Sequence, residues 1–147
     1  MTPRPALQLG DCLLYGPVGW TGWIISLKTW HAVAHCETYI GAGCSVASRD
    51  GLGVDTYPVR EAQLIHVLRP AAIFNVSAAL RWHEAVAKGQ GYDWLGLLRF
   101  AWRAKVVPDA LDNRQFCSEY TTRFYRAGGL DPFNGHDADA MVVSRFG

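Results

Sequence analysis

The chain has 147 residues, of which 50% are hydrophobic and 18% are charged, a composition typical of a globular domain with a sizeable core. Its 14 Lys and Arg residues nearly balance 13 Asp and Glu residues, so the charge gives no reason to expect binding to nucleic acid or to an anionic membrane. No window approaches the roughly 18 apolar residues of a transmembrane helix, and residues 1–11 lack the apolar core of a secretory signal peptide. We therefore expect a single domain, residues 1–147, synthesised in the cytoplasm.

The first half of the chain is dominated by strand patterns. Residues 11–16 (DCLLYG) are short, apolar and flanked by glycine, which predicts a strand. Residues 20–30 place bulky apolar side chains at helical spacing and predict a short helix. Ala42-Gly43 predicts a tight hairpin turn between two strands. Four strands in all are predicted after the helix, at 33–41, 44–49, 53–59 and 64–69.

After Pro70 the periodicity becomes helical. Asn75 is the predicted N-cap of a helix at 76–88, which ends before Gly89. Two more helices are predicted at 92–103 and 116–127, with a loop at 104–114 between them and a stop at Gly128-Gly129. Because strands come first and helices follow, we predict an α+β fold with a mainly antiparallel β-sheet packed against helices.

The heptapeptide HCETYIG, which begins at His35, places an imidazole, a thiol and a carboxylate in consecutive positions of a predicted strand. Side chains alternate along a strand, so His35, Glu37 and Tyr39 share one face while Cys36 points to the other. Glu37 lies about 7 Å along the strand from His35, near enough to orient the imidazole. Cys36 is therefore a poor candidate nucleophile. His31 is an alternative orienting residue or substrate ligand.

The sequence QFCSEY places Cys117 at the predicted first turn of the last helix. The unpaired N–H groups and the dipole of a helix start stabilise an anion, which lowers the pKa of a thiol. A cysteine hydrolase needs such a thiol opposite a histidine, because the histidine takes up the thiol proton and later protonates the leaving group. We therefore predict Cys117 as the nucleophile and His35 as its acid–base partner, with N–H groups of the same turn holding an oxyanion.

The other thiols and imidazoles show no spacing typical of a metal site, so we expect no metal and no cofactor. Reduced thiols are expected in the absence of a signal peptide, with Cys12 and Cys44 in packing roles. The remaining histidines are also expected to be structural or exposed: His66, His83 and His136. Five of the six tryptophans are candidates either for an apolar or sugar-stacking cleft or for the core: Trp20, Trp23, Trp30, Trp94 and Trp102.

Four motifs occur in a characteristic order: GD-x-x-L from Gly10, H-x-E-x-Y-I-G from His35, YDWLGLL at 92–98 and FCSEY at 116–120. In this order they resemble the circularly permuted, YiiX/YebB-like branch of the NlpC-type papain-like cysteine hydrolases, in which the histidine strand precedes the cysteine helix. The resemblance extends from about Gly10 to Gly129 and implies a papain-like fold.

The resemblance also implies a site and a substrate class. Its Cys–His pair and third polar residue correspond to Cys117, His35 and Glu37 in this chain, and a tyrosine that assists at the oxyanion corresponds to either Tyr15 or Tyr39. The implied activity is that of a cysteine peptidase or amidase that cleaves bacterial cell-wall peptides of the peptidoglycan type. A domain without a signal or anchor would then need delivery by a larger assembly, such as a phage tail or a secretion system.

Two alternatives remain at the level of the sequence. Permuted relatives that resemble lecithin–retinol acyltransferase use the same Cys–His chemistry on lipid esters, and residues 20–30 are the one candidate for the apolar segment that such enzymes tend to carry. The second alternative is a non-catalytic structural or binding module, for example a virion tail component, that keeps the fold without the activity.

Overall fold

The computed structural model of the protein describes residues 6–17, 34–70, 72–91 and 117–131. Within these ranges the chain forms one five-stranded sheet in which every neighbouring pair is antiparallel. The strand order is β4-β3-β2-β1-β5. The prediction of an α+β fold with an antiparallel sheet is confirmed. The strands are β1 (Cys12–Tyr15), β2 (His35–Gly41), β3 (Cys44–Arg49), β4 (Gly53–Pro58) and β5 (Leu64–Leu68).

The predicted hairpin joins β2 to β3. Ala42 and Gly43 both have positive φ angles, 50° and 72°, as a two-residue hairpin turn of the I′ type requires. The register pairs Thr38 with Val46 and Gly41 with Cys44, with an irregularity before Gly41. This pairing ends at Thr38, so the first residues of β2 extend beyond the end of the β2–β3 ladder.

The helix predicted at 76–88 is present, but its second half is wound differently. Helix α1 (Val76–Trp82) begins after Asn75, whose side-chain oxygen accepts a 2.9 Å hydrogen bond from the Ala78 N–H, as expected of an N-cap. The chain then continues as a single π-helical turn, His83–Ala87. A short 3₁₀ turn, Glu61–Gln63, leads into β5.

The last helix, α2, is described over Cys117–Ala127 and ends where the glycines predicted it would, whereas the predicted start at residue 116 lies outside the described residues. Gly129 has a φ of 87°, and its N–H donates to the Arg126 carbonyl at 2.9 Å. The Leu130 N–H donates to the Tyr125 carbonyl at 3.0 Å, which completes a Schellman motif. The described part of this helix starts at Cys117, and the sequence predicts the first helical turn here, where the dipole favours a negative charge.

Helices α1 and α2 pack on one face of the sheet. The buried side chains between this face and the helices form two clusters. One contains Cys117 and Tyr125 of α2, and the other contains Tyr120 and Phe124 of the same helix. The opposite face carries a smaller cluster around Leu13, Tyr15 and Leu64. The members of the two helix-side clusters are Cys12, Leu14, Cys36, Cys117 and Tyr125, and then Val46, Val54, Ala79, Ala87, Tyr120 and Phe124.

The Gly-Asp pair that precedes β1 has a structural role. Gly10 has a φ of 89°, and a Cβ atom there would lie 2.5 Å from the Phe74 ring, so a larger residue does not fit. The buried Asp11 carboxylate accepts hydrogen bonds from Arg69 at 2.8 and 2.9 Å. These contacts fix the entry of the chain into β1.

The predicted helices at 20–30 and 92–103 and the predicted loop at 104–114 lie outside the described residues. Among the helices that the structure does describe, none is long and apolar enough to cross a membrane.

Candidate active site

β2 and α2 bring His35 and Cys117 close together, although the two residues are 82 positions apart in sequence. The imidazole and the sulfur lie close enough to shift each other's pKa. The Nε2 atom of His35 lies 3.0 Å from Glu37 Oε1, so Nδ1 is the ring nitrogen left for the sulfur. Cys117 is 8% exposed and the His35 side chain 16%, so the pair is largely buried yet reaches the surface.

The two groups shift each other's protonation. A hydrogen bond from the Cys36 thiol and the positive charge of His35 hold the pKa of Cys117 well below its ordinary value, against the opposing effect of burial. Burial by itself lowers the pKa of His35, but the Cys117 thiolate and Glu37 outweigh it and raise this pKa to about 9. The favoured state near neutral pH is therefore a thiolate–imidazolium pair, which titrates as a unit.

Glu37 is fully buried and holds the ring of His35 from the other side. Its carboxylate accepts two hydrogen bonds from Arg49, at 2.8 and 3.0 Å, in a bidentate arrangement. Arg60 donates a third at 3.1 Å, and the Ser45 hydroxyl donates a fourth. The carboxylate therefore has donors on both oxygens, and its orientation toward His35 is fixed.

These donors determine the charge of Glu37. Burial opposes ionisation, but the hydrogen bonds from His35 and Arg49 and the charge of the imidazolium hold the pKa of Glu37 far below its ordinary value. The two guanidinium groups also lie over aromatic rings, Arg49 at 4.3 Å from the Tyr57 centroid and Arg60 at 4.8 Å from that of Tyr15. A permanent negative charge thus faces the imidazole, which stabilises its protonated form.

Cys36 lies on the face of β2 opposite Glu37, as strand alternation predicts, and is fully buried. That face packs against α2, so Cys36 lies in one buried cluster with Cys117, and its sulfur is 3.5 Å from the hydroxyl of Thr121, one helical turn after Cys117. The sequence predicted only that Cys36 points away from His35. Its position in one cluster with Cys117 was not predicted.

The structure places the two candidate tyrosines at different distances from the pair. Tyr15 is directly opposite His35 in the β1–β2 register, and the two ring centroids are 6.0 Å apart. Tyr39 lies four residues along β2, about 13 Å away, and its hydroxyl accepts a 3.3 Å hydrogen bond from the Gly43 N–H in the hairpin. Tyr15 therefore lies beside His35, whereas Tyr39 lies toward the hairpin.

The other residues considered for the site fall elsewhere. Cys12 is buried in the helix-side core, and Cys44 donates to the Ala42 carbonyl in the hairpin. His83 is buried and hydrogen-bonded, whereas His66 is exposed. No group of three or more His, Cys, Asp or Glu side chains in the described ranges is arranged to hold a metal ion. His31, His136 and the five candidate cleft tryptophans lie outside the described residues.

Sequence reasoning missed Arg49, Arg60 and Ser45 as partners of Glu37. The available signal was the alternation of side chains in the 44–49 strand, which places Ser45, Ala47 and Arg49 on the same face. Assigning that face to Glu37 requires the β2–β3 register, which the hairpin length constrains but the bulge near Gly41 shifts.

The chain matches none of the protein-family models, and no curated protein matches its sequence. The structure thus shows an α+β fold in which His35 is hydrogen-bonded to the buried Glu37 and lies close enough to the Cys117 thiol in α2 for the two groups to shift each other's pKa. Such a set can generate a nucleophilic thiolate and supply a proton to a leaving group.

Proposed function

We propose that the protein is a papain-like cysteine hydrolase that cleaves an amide or peptide bond through an acyl-enzyme. The observation that carries the proposal is the contact between Cys117, at the first residue of α2, and His35, whose other nitrogen is 3.0 Å from the buried Glu37. A buried thiol with a purely structural role would not need an imidazolium and a fixed carboxylate behind it.

In this proposal the Cys117 thiolate attacks the carbonyl carbon of the scissile bond. The N–H groups of the first turn of α2 hold the oxyanion, and the Tyr15 ring packs near His35, with 6.0 Å between the ring centroids. His35 gives its Nδ1 proton to the leaving amine and then accepts a proton from the water that hydrolyses the thioester. Glu37 keeps the ring oriented and stabilises its charged form, without itself taking up the proton.

The proposed substrate class is bacterial cell-wall peptide, and it rests on the resemblance of the four sequence motifs to the permuted NlpC-type hydrolases. Lipid esters remain the alternative acyl donor, because the same thiol, imidazole and carboxylate would serve both. Delivery of the domain by a larger assembly, such as a phage tail or a secretion system, belongs to the same proposal.

Incubation of the protein with purified peptidoglycan and, separately, with phospholipid vesicles tests the proposal. We expect release of cleaved peptides from peptidoglycan, and Cys117→Ala should reduce that release by about 10³-fold or more because it removes the nucleophile. The matched control is Cys44→Ala, which removes a thiol from the hairpin and should leave turnover unchanged.

The outcomes separate the alternatives. Turnover of vesicles in place of peptidoglycan would replace the peptidase assignment by a lipid acyl hydrolase. Turnover of neither substrate, together with an alkylation rate at Cys117 no faster than that of Cys44, would contradict a catalytic role and favour a binding module. The unfolding free energy of Cys117→Ala shows whether a loss of turnover reflects the removal of the nucleophile or a loss of the fold.

A further inference from the structure

Two thiols, and not one, meet at the start of α2. Cys36 and Cys117 belong to the same buried cluster, and the Cys36 sulfur is 3.5 Å from the hydroxyl of Thr121, which follows Cys117 by one turn on the same helix. The two thiols also shift each other's pKa. A strand residue and a helix residue distant in sequence thereby place their thiols in one buried cluster.

The two thiols differ in exposure and in charge. Cys117 is 8% exposed, whereas Cys36 is completely covered, so a small reagent in solvent reaches Cys117 first. The hydrogen bond to Cys117 and burial raise the pKa of Cys36, while that of Cys117 is lowered. The Cys117 sulfur thus favours the thiolate, whereas the fully covered Cys36 sulfur favours the protonated thiol.

We propose that Cys36 is the resolving thiol of Cys117, and that a hydroperoxide converts the two residues reversibly into a disulfide. The consequence for activity rests on the proposed function, but disulfide formation itself requires only the two thiols and the peroxide. An oxidisable low-pKa cysteine beside a second cysteine is the arrangement that yields a reversible product in place of over-oxidation.

The reaction balances in two steps. The Cys117 thiolate attacks one peroxide oxygen, the O–O bond breaks, and the departing alkoxide or hydroxide takes a proton from His35, which leaves Cys117 as a sulfenic acid. The Cys36 thiol then forms the S–S bond, the S–O bond of the sulfenic acid breaks, and the hydroxyl leaves as water with the Cys36 proton. In sum, two thiols are oxidised by two electrons and the hydroperoxide is reduced to an alcohol, or to water, plus water.

Cys12 is the competing partner, because it lies in the same cluster. Its thiol is hydrogen-bonded to Tyr125, two turns further along α2, and it interacts with Cys117 only through charge. Cys44 is in the hairpin, where it donates to the Ala42 carbonyl. The position of Cys36 beside Thr121, one turn after Cys117, together with its effect on the pKa of Cys117, therefore selects Cys36 among the three other cysteines of the chain.

The experiment treats the full chain with hydrogen peroxide at low molar excess, blocks the remaining thiols with N-ethylmaleimide and maps the linkages by mass spectrometry after digestion. We expect a peptide pair linked through Cys36 and Cys117, two alkylated cysteines out of four, and complete reversal by dithiothreitol. Where peptidoglycan is turned over, that activity should disappear and return with the same time course as the linkage.

Two variants sharpen the test. In Cys36→Ser the sulfenic acid of Cys117 has no resolving thiol, so it should be trapped by dimedone and should proceed to sulfinic acid that dithiothreitol does not reverse. In the matched control, Cys12→Ala, the Cys36–Cys117 linkage should form as in the parent chain. Because the mapping on the parent chain stands by itself, a folding defect in either variant does not remove the test.

A Cys12–Cys117 linkage, or over-oxidation of Cys117 while Cys36 remains alkylatable in the parent chain, would overturn the proposal. The result also separates it from the proposed function. A mapped Cys36–Cys117 disulfide in a protein that cleaves neither peptidoglycan nor lipid would leave the thiol pair established and the hydrolase rejected.

Discussion

At the scale of single residues, Glu37 is the carboxylate that pairs with the most cations in the candidate site. It is fully buried and provides the negative charge for Arg49, Arg60 and the protonated His35. Replacing it with glutamine leaves these cations without a counter-charge, and Arg49 has little access to solvent. We expect Glu37→Gln to lower the free energy of unfolding by about 3 kcal/mol, in addition to slowing any reaction that needs imidazolium.

The matched control for Glu37→Gln is Ser45→Ala, which removes one neutral donor from the same carboxylate. It should lower the unfolding free energy by about 1 kcal/mol, because the two arginines still neutralise and bind Glu37. Urea denaturation of both variants measures the difference. Equal losses in the two variants would show that the charge of Glu37 contributes little to stability and that only its hydrogen-bonding geometry matters.

At the scale of elements, a buried polar contact joins α2 to the π-helical turn and to β4. The Tyr120 hydroxyl is 2.7 Å from Nδ1 of His83, and Nε2 of the same ring is 3.5 Å from the Thr56 hydroxyl. Tyr120 also stacks on Trp82 with a centroid distance of 5.9 Å. The helix that begins with Cys117 is therefore held on the sheet by its first turns as well as by its apolar face.

Tyr120→Phe tests the polar part of this contact. The ring and its stacking are retained, but the buried Nδ1 of His83 loses its partner, so we expect the unfolding free energy to fall by about 1–3 kcal/mol. Tyr39→Phe is the control, since its hydroxyl makes an exposed 3.3 Å bond, and the change should stay within about 0.5 kcal/mol. A loss below that limit for Tyr120→Phe would mean that water replaces the hydroxyl at His83.

The elements themselves were predictable because their signals are local. The Asn75 cap, the Ala42-Gly43 turn and the Gly128-Gly129 stop each act within a few residues, and all three are present where the sequence predicted them. The site was predictable only in part. Strand alternation placed Cys36 on the face away from Glu37, but it gave no means of showing that this face of β2 would pack against α2 and bring Cys36 into one cluster with Cys117.

At the scale of the whole molecule, stability and protonation are linked through several groups at once. Alone, the raised pKa of His35 contributes stability that is complete below its ordinary value of 6.5 and lost as the pH rises toward about 9. The lowered pKa of Cys117 acts in the opposite sense, with its contribution lost as the pH falls. Near neutral pH the folded and unfolded pair each hold one proton, on nitrogen and on sulfur respectively, so the two slopes cancel.

At acid pH the contributions of His35 and Cys117 to the slope of stability against pH no longer cancel, and protonation of His83 adds a further contribution. Burial lowers the pKa of His83, so its neutral form contributes stability that is present above the ordinary value of 6.5 and lost as the pH falls toward the folded-state pKa. Below about pH 6.5 unfolding therefore takes up protons both at His83 and at the His35–Cys117 pair, and each proton costs up to about 1.4 kcal/mol of stability per pH unit.

Urea denaturation at closely spaced pH values between about 5 and 8 measures these slopes. The parent chain should be nearly level above neutrality and should lose stability below it, whereas His83→Gln should remove up to about 1.4 kcal/mol per pH unit of the acid slope and leave the rest. The exposed His66 provides the control, His66→Gln, which should follow the parent curve. If His83→Gln retains the full acid slope, the acid sensitivity of the fold originates at the thiolate–imidazolium pair and not in the core beneath α2.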